Sequence, residues 1–310
     1  MTSPDKSTGG ARTGLAFLAL FLGATLLGSL LAPQIFNLLL GLGRRWSGLA
    51  FLRDLEFESV AGRCVMLFIL LGFFPALKLS GIRHVRELGF VPGIRGRRLL
   101  LRGFLLGLLS LGGVFILGWA SGAYVIQVDD KFKSFYKVVE IFAGALLLAF
   151  FEETLVRGFL FGSLRKSLGL WSAALVTSFI FMIVHFARPE LPISPVYGSW
   201  DSGLQMIPHM FYGGHDPNHY FPHMLTLFLM GLVLCLYFDS YRHIGMVIGM
   251  HAGWVVAMRS GGYLFDRQAD HLPLLFGQSD VVSKSFMALL VAIGFLAWIL
   301  HKRRKAAPPG

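Results

Sequence analysis

Eight apolar segments, each close to the length of a membrane-spanning helix, recur from one end of this 310-residue chain to the other. A helix needs about 20 mostly apolar residues to cross the hydrocarbon core of a bilayer. The segments lie at about 14–33, 60–78, 99–120, 139–163, 168–187, 222–239, 243–260 and 283–301. Only 15% of the residues are charged, against about 25% in an ordinary soluble domain. The sequence therefore predicts an all-α, polytopic transmembrane helical bundle of about eight spans.

No long polar stretch separates these segments, so residues 1–310 are predicted to form a single integral membrane domain. The net charge is +11, but the basic residues stand in short runs beside apolar segments. That arrangement is typical of topology signals and of contact with a lipid bilayer, and it does not predict nucleic-acid binding. The Lys and Arg bias favours a multi-pass protein of the plasma (inner) membrane. Both termini, the Arg83–Arg102 loop and the Lys302–Lys305 tail are then cytoplasmic.

The fourth segment contains three ionisable residues in an otherwise apolar helix: Glu152, Glu153 and Arg157. A charge at this depth costs several kcal/mol unless it is paired or solvated. Glu153 and Arg157 are four residues apart, a spacing that lets a carboxylate and a guanidinium pair on one helix face. Glu152 points about 100° away from Glu153. The sequence predicts a Glu153–Arg157 ion pair, with Glu152 either near an interface or facing a water-filled cavity as a base or ligand.

Two histidines also lie inside apolar segments, His185 near the end of the fifth and His251 in the seventh. A single membrane histidine is more often a hydrogen-bonded packing residue than a ligand. At about 1.5 Å of rise per residue, however, both histidines lie at depths similar to that of Glu152. We therefore expect these three residues to be able to meet in one cavity.

At these positions the sequence resembles the CAAX protease and bacteriocin-processing family, also called the Abi family, whose best-known members are the type II CAAX prenyl endopeptidases. The family pattern is Glu-Glu-x-x-x-Arg, then Phe-x-x-x-His, then a His followed four residues later by Asn, on separate transmembrane helices. Here the three blocks begin at Glu152, Phe181 and His251. The similarity covers about residues 139–260, which the resemblance predicts to be the protease core.

The resemblance implies hydrolysis of a peptide bond in a membrane-anchored or prenylated-like peptide or protein substrate. In this interpretation Glu152, His185 and His251 are catalytic, and Glu153 and Arg157 support them. Glu152 takes a proton from the attacking water, while the histidines orient that water and stabilise the oxyanion. Glu152, His185 and His251 would also suit a catalytic zinc ion. A glutamate-type and a metallo-type mechanism both stay open.

One position departs from the family pattern, because Val255 stands where other members have Asn. An Asn amide there can help to hold the water or the oxyanion. Either the site works with one polar group fewer, or the fold serves another role. The alternatives to a protease are a non-catalytic scaffold or maturation or immunity partner, and a transporter in which buried Glu, Arg and His relay protons.

The segment that precedes the sixth span is rich in histidine. It contains His209, His215, His219 and His223. Spacings of four residues suit a metal site on a helix, but Pro217 and Pro222 predict that no helix forms there. We therefore expect a polar loop that lies outside the active site.

Overall fold

The computed structural model confirms an all-α, polytopic helical bundle. It describes residues 6–127, 131–186, 201–205, 207–209, 217–268, 270–276 and 282–306. Among these residues, six helical runs are long and apolar enough to cross a membrane. They are Arg12–Arg45, Phe57–Leu79, Ile94–Ala120, Phe135–Phe186, Phe221–Tyr241 and Phe286–Lys305. The protein is therefore a multi-pass membrane protein.

The predicted count of eight spans stays a prediction. The fourth and fifth predicted spans fall within the single run Phe135–Phe186, but Gly169 interrupts the helical backbone there with φ 77° and ψ 177°. Glycine adopts such a conformation without steric penalty. The seventh predicted span forms a helix, Ile244–Leu264, which is not one of the six runs. Its glycines, His251 and Arg259 lower its mean hydropathy.

The chain folds into two compact units, of which the first comprises Met1–Arg83 and Ile183–His215. Its described elements are α1 (Lys6–Arg45), a 3-10 helix (Ser47–Asp54), α2 (Phe57–Leu79), α6 (Ser202–Gln205) and a 3-10 helix (Ile207–His209). Helices α1 and α2 pack around a core that includes Phe36, Phe57 and Cys64. Arg53 closes the turn between them by donating from Nε to the carbonyl of Gly43 at 2.8 Å.

The second unit comprises His84–Met182 and Asp216–Gly310. Its longer helices are α3 (Ile94–Ala120), α4 (Lys131–Glu153), α5 (Gly162–Phe186), which runs into the first unit at its end, α7 (Pro217–Tyr241), α8 (Ile244–Leu264) and α10 (Phe286–Ala306). A π-helix (Thr154–Phe161) joins α4 to α5. The shorter elements are β1 (Tyr124–Ile126), β2 (Phe265–Arg267), α9 (Pro273–Phe276) and 3-10 helices at Val85–Leu88 and Val282–Lys284. The prediction of one membrane domain is not tested by this division.

Helix α8 forms the centre of the second unit, and every residue from Ile244 to Ala257 is buried. It packs closely against α3 because both helices present glycine at the crossing. A Cβ on Gly249 would overlap the backbone carbonyl of Leu100, and a Cβ on Gly103 would overlap that of Met246. Small residues allow this kind of close backbone approach between membrane helices. The buried histidine of α8 is thereby held on a fixed backbone.

A side-chain cap precedes α8 and a short β-strand follows it. Before it, the side chain of His243 accepts a hydrogen bond from the N–H of Gly245 at 2.9 Å, while its other ring nitrogen lies 2.9 Å from the carbonyl oxygen of Val91. After it, β2 pairs with β1 in an antiparallel register that places Tyr124 opposite Arg267. Both connections fix how far α8 extends.

The prediction that Pro217 and Pro222 prevent a helix is wrong, because α7 begins at Pro217 and continues past Pro222. A proline at the first position of a helix lacks an N–H that would have no partner within the helix in any case. His219 and His223 therefore belong to α7. His215 lies outside the described residues, so a loop that contains all four histidines is not described.

Candidate active site

The backbone widens directly after the paired glutamates. Helix α4 ends at Glu153, and the next eight residues, Thr154–Phe161, form a π-helix. At its end the N–H of Gly162 donates to the carbonyl of Arg157, five residues earlier. Single π-turns inside longer helices are frequent at functional sites. The wider turn lies in the Glu-Glu-x-x-x-Arg block and sets the directions of its side chains.

Glu153 and Arg157 form the predicted ion pair, with 2.8 Å between Oε1 of Glu153 and an Nη atom of Arg157. Both side chains are 0% exposed. The other Nη atom of Arg157 lies 3.4 Å from the carbonyl oxygen of Gly231, and its Cζ lies 4.3 Å from the ring centroid of Phe181. The guanidinium is thus held by a carboxylate, a backbone carbonyl and an aromatic face from three helical segments.

The absence of a side chain at Gly231 lets α7 approach closely enough to contact Arg157. A Cβ at this position would lie 3.1 Å from the Cβ of Ser178 and 3.3 Å from a ring carbon of Phe181. Contacts of 3.0–3.4 Å are tighter than almost all real Cβ contacts. Glycine therefore allows the α7 carbonyl to contact the buried guanidinium.

His251 bonds to the same carboxylate oxygen as Arg157. Its Nδ1 lies 2.8 Å from Oε1 of Glu153, and its ring stands edge-on to Phe181 with 6.1 Å between centroids. A carboxylate at one ring nitrogen fixes the orientation of an imidazole and the tautomer that it adopts. The sequence analysis missed this contact, because it assigned Glu153 to Arg157 alone. The signal available in the sequence was the similar depth of Glu153 and His251.

The two neighbouring glutamates lie in different environments. The side chain of Glu152 is 28% exposed, whereas that of Glu153 is 0% exposed. Oε2 of Glu152 lies 3.8 Å from Nε2 of His251, the ring nitrogen that does not contact Glu153. Oε1 of Glu153 therefore binds both Arg157 and His251, while the side chain of Glu152 as a whole is more open and directs its buried Oε2 at the outer nitrogen of the histidine.

His185 occupies the last turn of α5, four residues after Phe181. It belongs to the first compact unit, whereas Glu152, Glu153, Arg157 and His251 belong to the second. The convergence of His185 with the other predicted catalytic residues therefore stays a prediction.

Val255, one turn after His251, lies in an apolar environment. It is 5% exposed and clusters with Ala145 and Val256, and Phe104, Leu108 and Leu148 pack around them. The position where other family members have Asn is thus filled by hydrocarbon. No polar side chain is part of this cluster among the described residues.

The zinc alternative, with Glu152, His185 and His251 as ligands, stays a prediction. Within the part of the chain that the structure describes, no three His, Cys, Asp or Glu side chains are placed to hold one metal ion. We derive no step through a metal ion.

Comparison with known families gives one match. A family model described as Type II CAAX prenyl endopeptidase Rce1-like matches residues 134–257. This segment is therefore similar to the type II CAAX prenyl endopeptidases. The matched range contains Glu152, Arg157, His185 and His251 and confirms the resemblance to the family. In general terms, the match supports an intramembrane protease that acts on a peptide or protein substrate. No curated protein matches the chain.

Proposed function

We propose that this protein is an intramembrane endopeptidase in which Glu152 is the general base and His251 is its partner. The observation that supports this proposal is the difference in exposure and in contacts between the two glutamates. Glu153 is buried and shared by Arg157 and His251, while Glu152 is 28% exposed and faces Nε2 of the histidine. A base must reach a water molecule, so the more open carboxylate takes that role.

In the first step of the proposed reaction, one water molecule bridges Glu152 and His251. The 3.8 Å between Oε2 and Nε2 allows a water oxygen to lie within hydrogen-bonding distance of both atoms. Glu152 takes a proton as the water oxygen attacks the carbonyl carbon of the scissile peptide bond. Glu153 keeps the imidazole in place through Nδ1, so that Nε2 stays directed at the water.

In the second step the tetrahedral intermediate collapses and the C–N bond breaks. The protonated Glu152 returns its proton to the leaving nitrogen, so the products are a carboxylic acid and an amine. We assign stabilisation of the oxyanion to His185 on the strength of the Phe-x-x-x-His motif. Such a donor contributes about 3–4 kcal/mol to the transition state in other enzymes.

The proposed substrate is a membrane-anchored or prenylated-like peptide or protein, because a site among transmembrane helices is reached most directly from the bilayer. We place the protein in the plasma (inner) membrane with both termini in the cytoplasm, on the basis of its Lys and Arg distribution. Arg157 and Glu153 support the site without touching the substrate, since both side chains are completely buried.

Val255 favours a second candidate function, a non-catalytic member of the same fold that serves as a scaffold or as a maturation or immunity partner. Its apolar cluster provides no donor at the position of the family Asn. Loss of one oxyanion donor typically lowers a rate by about 10²- to 10³-fold and does not abolish it. We therefore place the protease first and expect slow cleavage.

The test is cleavage of a panel of membrane-tethered peptides by the purified protein in lipid. Glu152→Gln is expected to abolish cleavage, because Gln cannot accept the proton. Glu140→Gln is the matched control, since Glu140 lies on the same helix but forms an exposed ion pair with Lys137. It should cleave as wild type does. If wild type, Glu152→Gln and Glu140→Gln all fail to cleave any peptide, the non-catalytic scaffold becomes the favoured function and the protease proposal is rejected.

A further inference from the structure

A second polar site lies in the second unit, away from the candidate active site. A cavity of about 230 Å³ is lined by Arg86, Gly89, Phe161, Arg165, Phe238 and Asp239, together with Glu87, Gly162, Lys166 and Arg242. We call it the basic pocket. Its volume is below the roughly 300–1,000 Å³ of pockets that hold drug-sized ligands. The basic pocket therefore suits a small group.

The basic pocket carries an excess of positive charge that its own carboxylates do not neutralise. Asp239 is shared by three guanidinium groups, at 3.0 Å from Arg165, 3.4 Å from Arg242 and 2.9 Å from Arg303. Glu87 lies in the 3-10 helix Val85–Leu88 and caps its start by accepting a hydrogen bond from the N–H of His84 at 3.1 Å. One carboxylate shared among three cations leaves an environment that attracts an anion.

The geometry leaves donors directed at a ligand. Arg165 contacts Asp239 through Nε, so its two terminal nitrogens can still form the two-pronged contact that guanidinium groups make with phosphate. Asp239 is only 5% exposed and positions this arginine. Lys166 and Arg242 are exposed at the rim.

The opposite wall is aromatic. The rings of Phe161 and Phe238 meet edge to face with 6.1 Å between centroids. The pocket thus combines cations with an apolar surface. It is built from three separate stretches of chain, which the Lys and Arg pattern places at the cytoplasmic ends of the spans. Basic pockets between membrane helices on that side are typical sites for lipid head groups.

We propose that the basic pocket binds the phosphate of an anionic phospholipid head group. The phosphate lies against the guanidinium groups, and the glycerol and first acyl carbons lie against the exposed edge of Phe238, since Phe161 behind it is only 1% exposed. This apolar edge is the reason to choose a lipid over free phosphate, because inorganic phosphate gains nothing from contact with a phenylalanine ring.

The experiment follows the thermal unfolding of the purified full-length protein in a neutral detergent. Three probes are added in separate titrations: short-chain phosphatidylglycerol, phosphatidylcholine of the same chain length, and inorganic phosphate. We expect phosphatidylglycerol to raise the unfolding midpoint in a saturable manner, and the other two to leave it unchanged. An equal shift with phosphatidylcholine, or with inorganic phosphate at the same concentration, would overturn the lipid assignment.

Variants then locate the binding site. Lys166→Gln and Arg242→Gln each remove an exposed charge, and Asp239 keeps Arg165 and Arg303 in both. We expect each change to weaken the apparent Kd for phosphatidylglycerol by about fivefold. The control is Arg95→Gln with Arg97→Gln, two exposed arginines outside the pocket, which should bind as wild type does. Equal weakening by control and pocket variants would refute the proposal, because it would show a diffuse charge effect.

Discussion

Replacing Glu153 with Gln is expected to destabilise the protein strongly. The change removes the negative charge that Arg157 and His251 share, and it leaves Arg157, 0% exposed, with a carbonyl at 3.4 Å and an aromatic ring. Removing one partner of a buried ion pair costs about 3–5 kcal/mol. The Gln oxygen still accepts a hydrogen bond, so we expect a loss of about 3 kcal/mol, at the lower end of that range.

Glu152→Gln is the matched comparison, because it makes the same chemical change at the adjacent position. Glu152 is 28% exposed and lies 3.8 Å from the histidine nitrogen. A contact of this kind contributes about 0–1 kcal/mol, so we expect a loss below about 1 kcal/mol. The free energy of unfolding is measured by titrating sodium dodecyl sulfate into mixed micelles and following helicity by circular dichroism.

A double-mutant cycle tests whether the loss comes from the ion pair. Arg157→Met removes the buried cation, so adding it to Glu153→Gln should cost less than the sum of the two separate changes. We expect a coupling energy of about 1–3 kcal/mol, as found for residues in direct contact. Equal losses for the two glutamate variants, or a cycle without coupling, would refute the assignment of Glu153 as the structural carboxylate.

Three further predictions concern packing, metal and orientation. Gly249→Ala should lower the free energy of unfolding by about 1–3 kcal/mol, because its Cβ would overlap the carbonyl of Leu100. The control Gly144→Ala has open space around the new Cβ and should be close to neutral. Similar losses of stability in the two variants would contradict the close packing of α3 and α8. Treatment with a metal chelator should leave the rate of peptide cleavage unchanged, since no three metal-binding side chains are grouped among the described residues. A loss of cleavage that added zinc restores would instead support the metallo-type mechanism. A cysteine introduced by Arg95→Cys should react with an impermeant reagent from the cytoplasmic side only; labelling from the outside would invert the predicted topology.

The helical fold and the motif residues could be predicted from the sequence because they depend on local patterns. Each predicted span overlaps a helix of the structure, since a run of apolar residues of bilayer length leaves the backbone no other way to satisfy its hydrogen bonds. The ion pair between Glu153 and Arg157 was also predicted, because four residues of spacing within one helix determine it.

Two features of the helices were predicted wrongly or missed. Pro217 and Pro222 predicted a loop, yet α7 begins at Pro217. The rule that proline breaks helices does not apply to the first position of a helix, which accounts for Pro217. Pro222 lies inside α7, and the first-position argument does not cover it. The π-helix at Thr154–Phe161 was not predicted either. Its residues include good helix formers, and the choice between a normal and a widened turn depends on how the buried side chains pack.

The sequence by itself determined that the chain crosses membranes and which charged residues it places at depth, because hydropathy and spacing are properties of short stretches of chain. Only the tertiary structure decided which of two adjacent glutamates is buried. Glu153 became the structural carboxylate since α8 brings His251 within 2.8 Å of it, 98 residues along the chain, and Gly231 of α7 completes the surroundings of Arg157. Contacts between helices of this kind are set by how the glycine-lined surfaces of α3 and α8 fit together, and a single sequence records no such pairing.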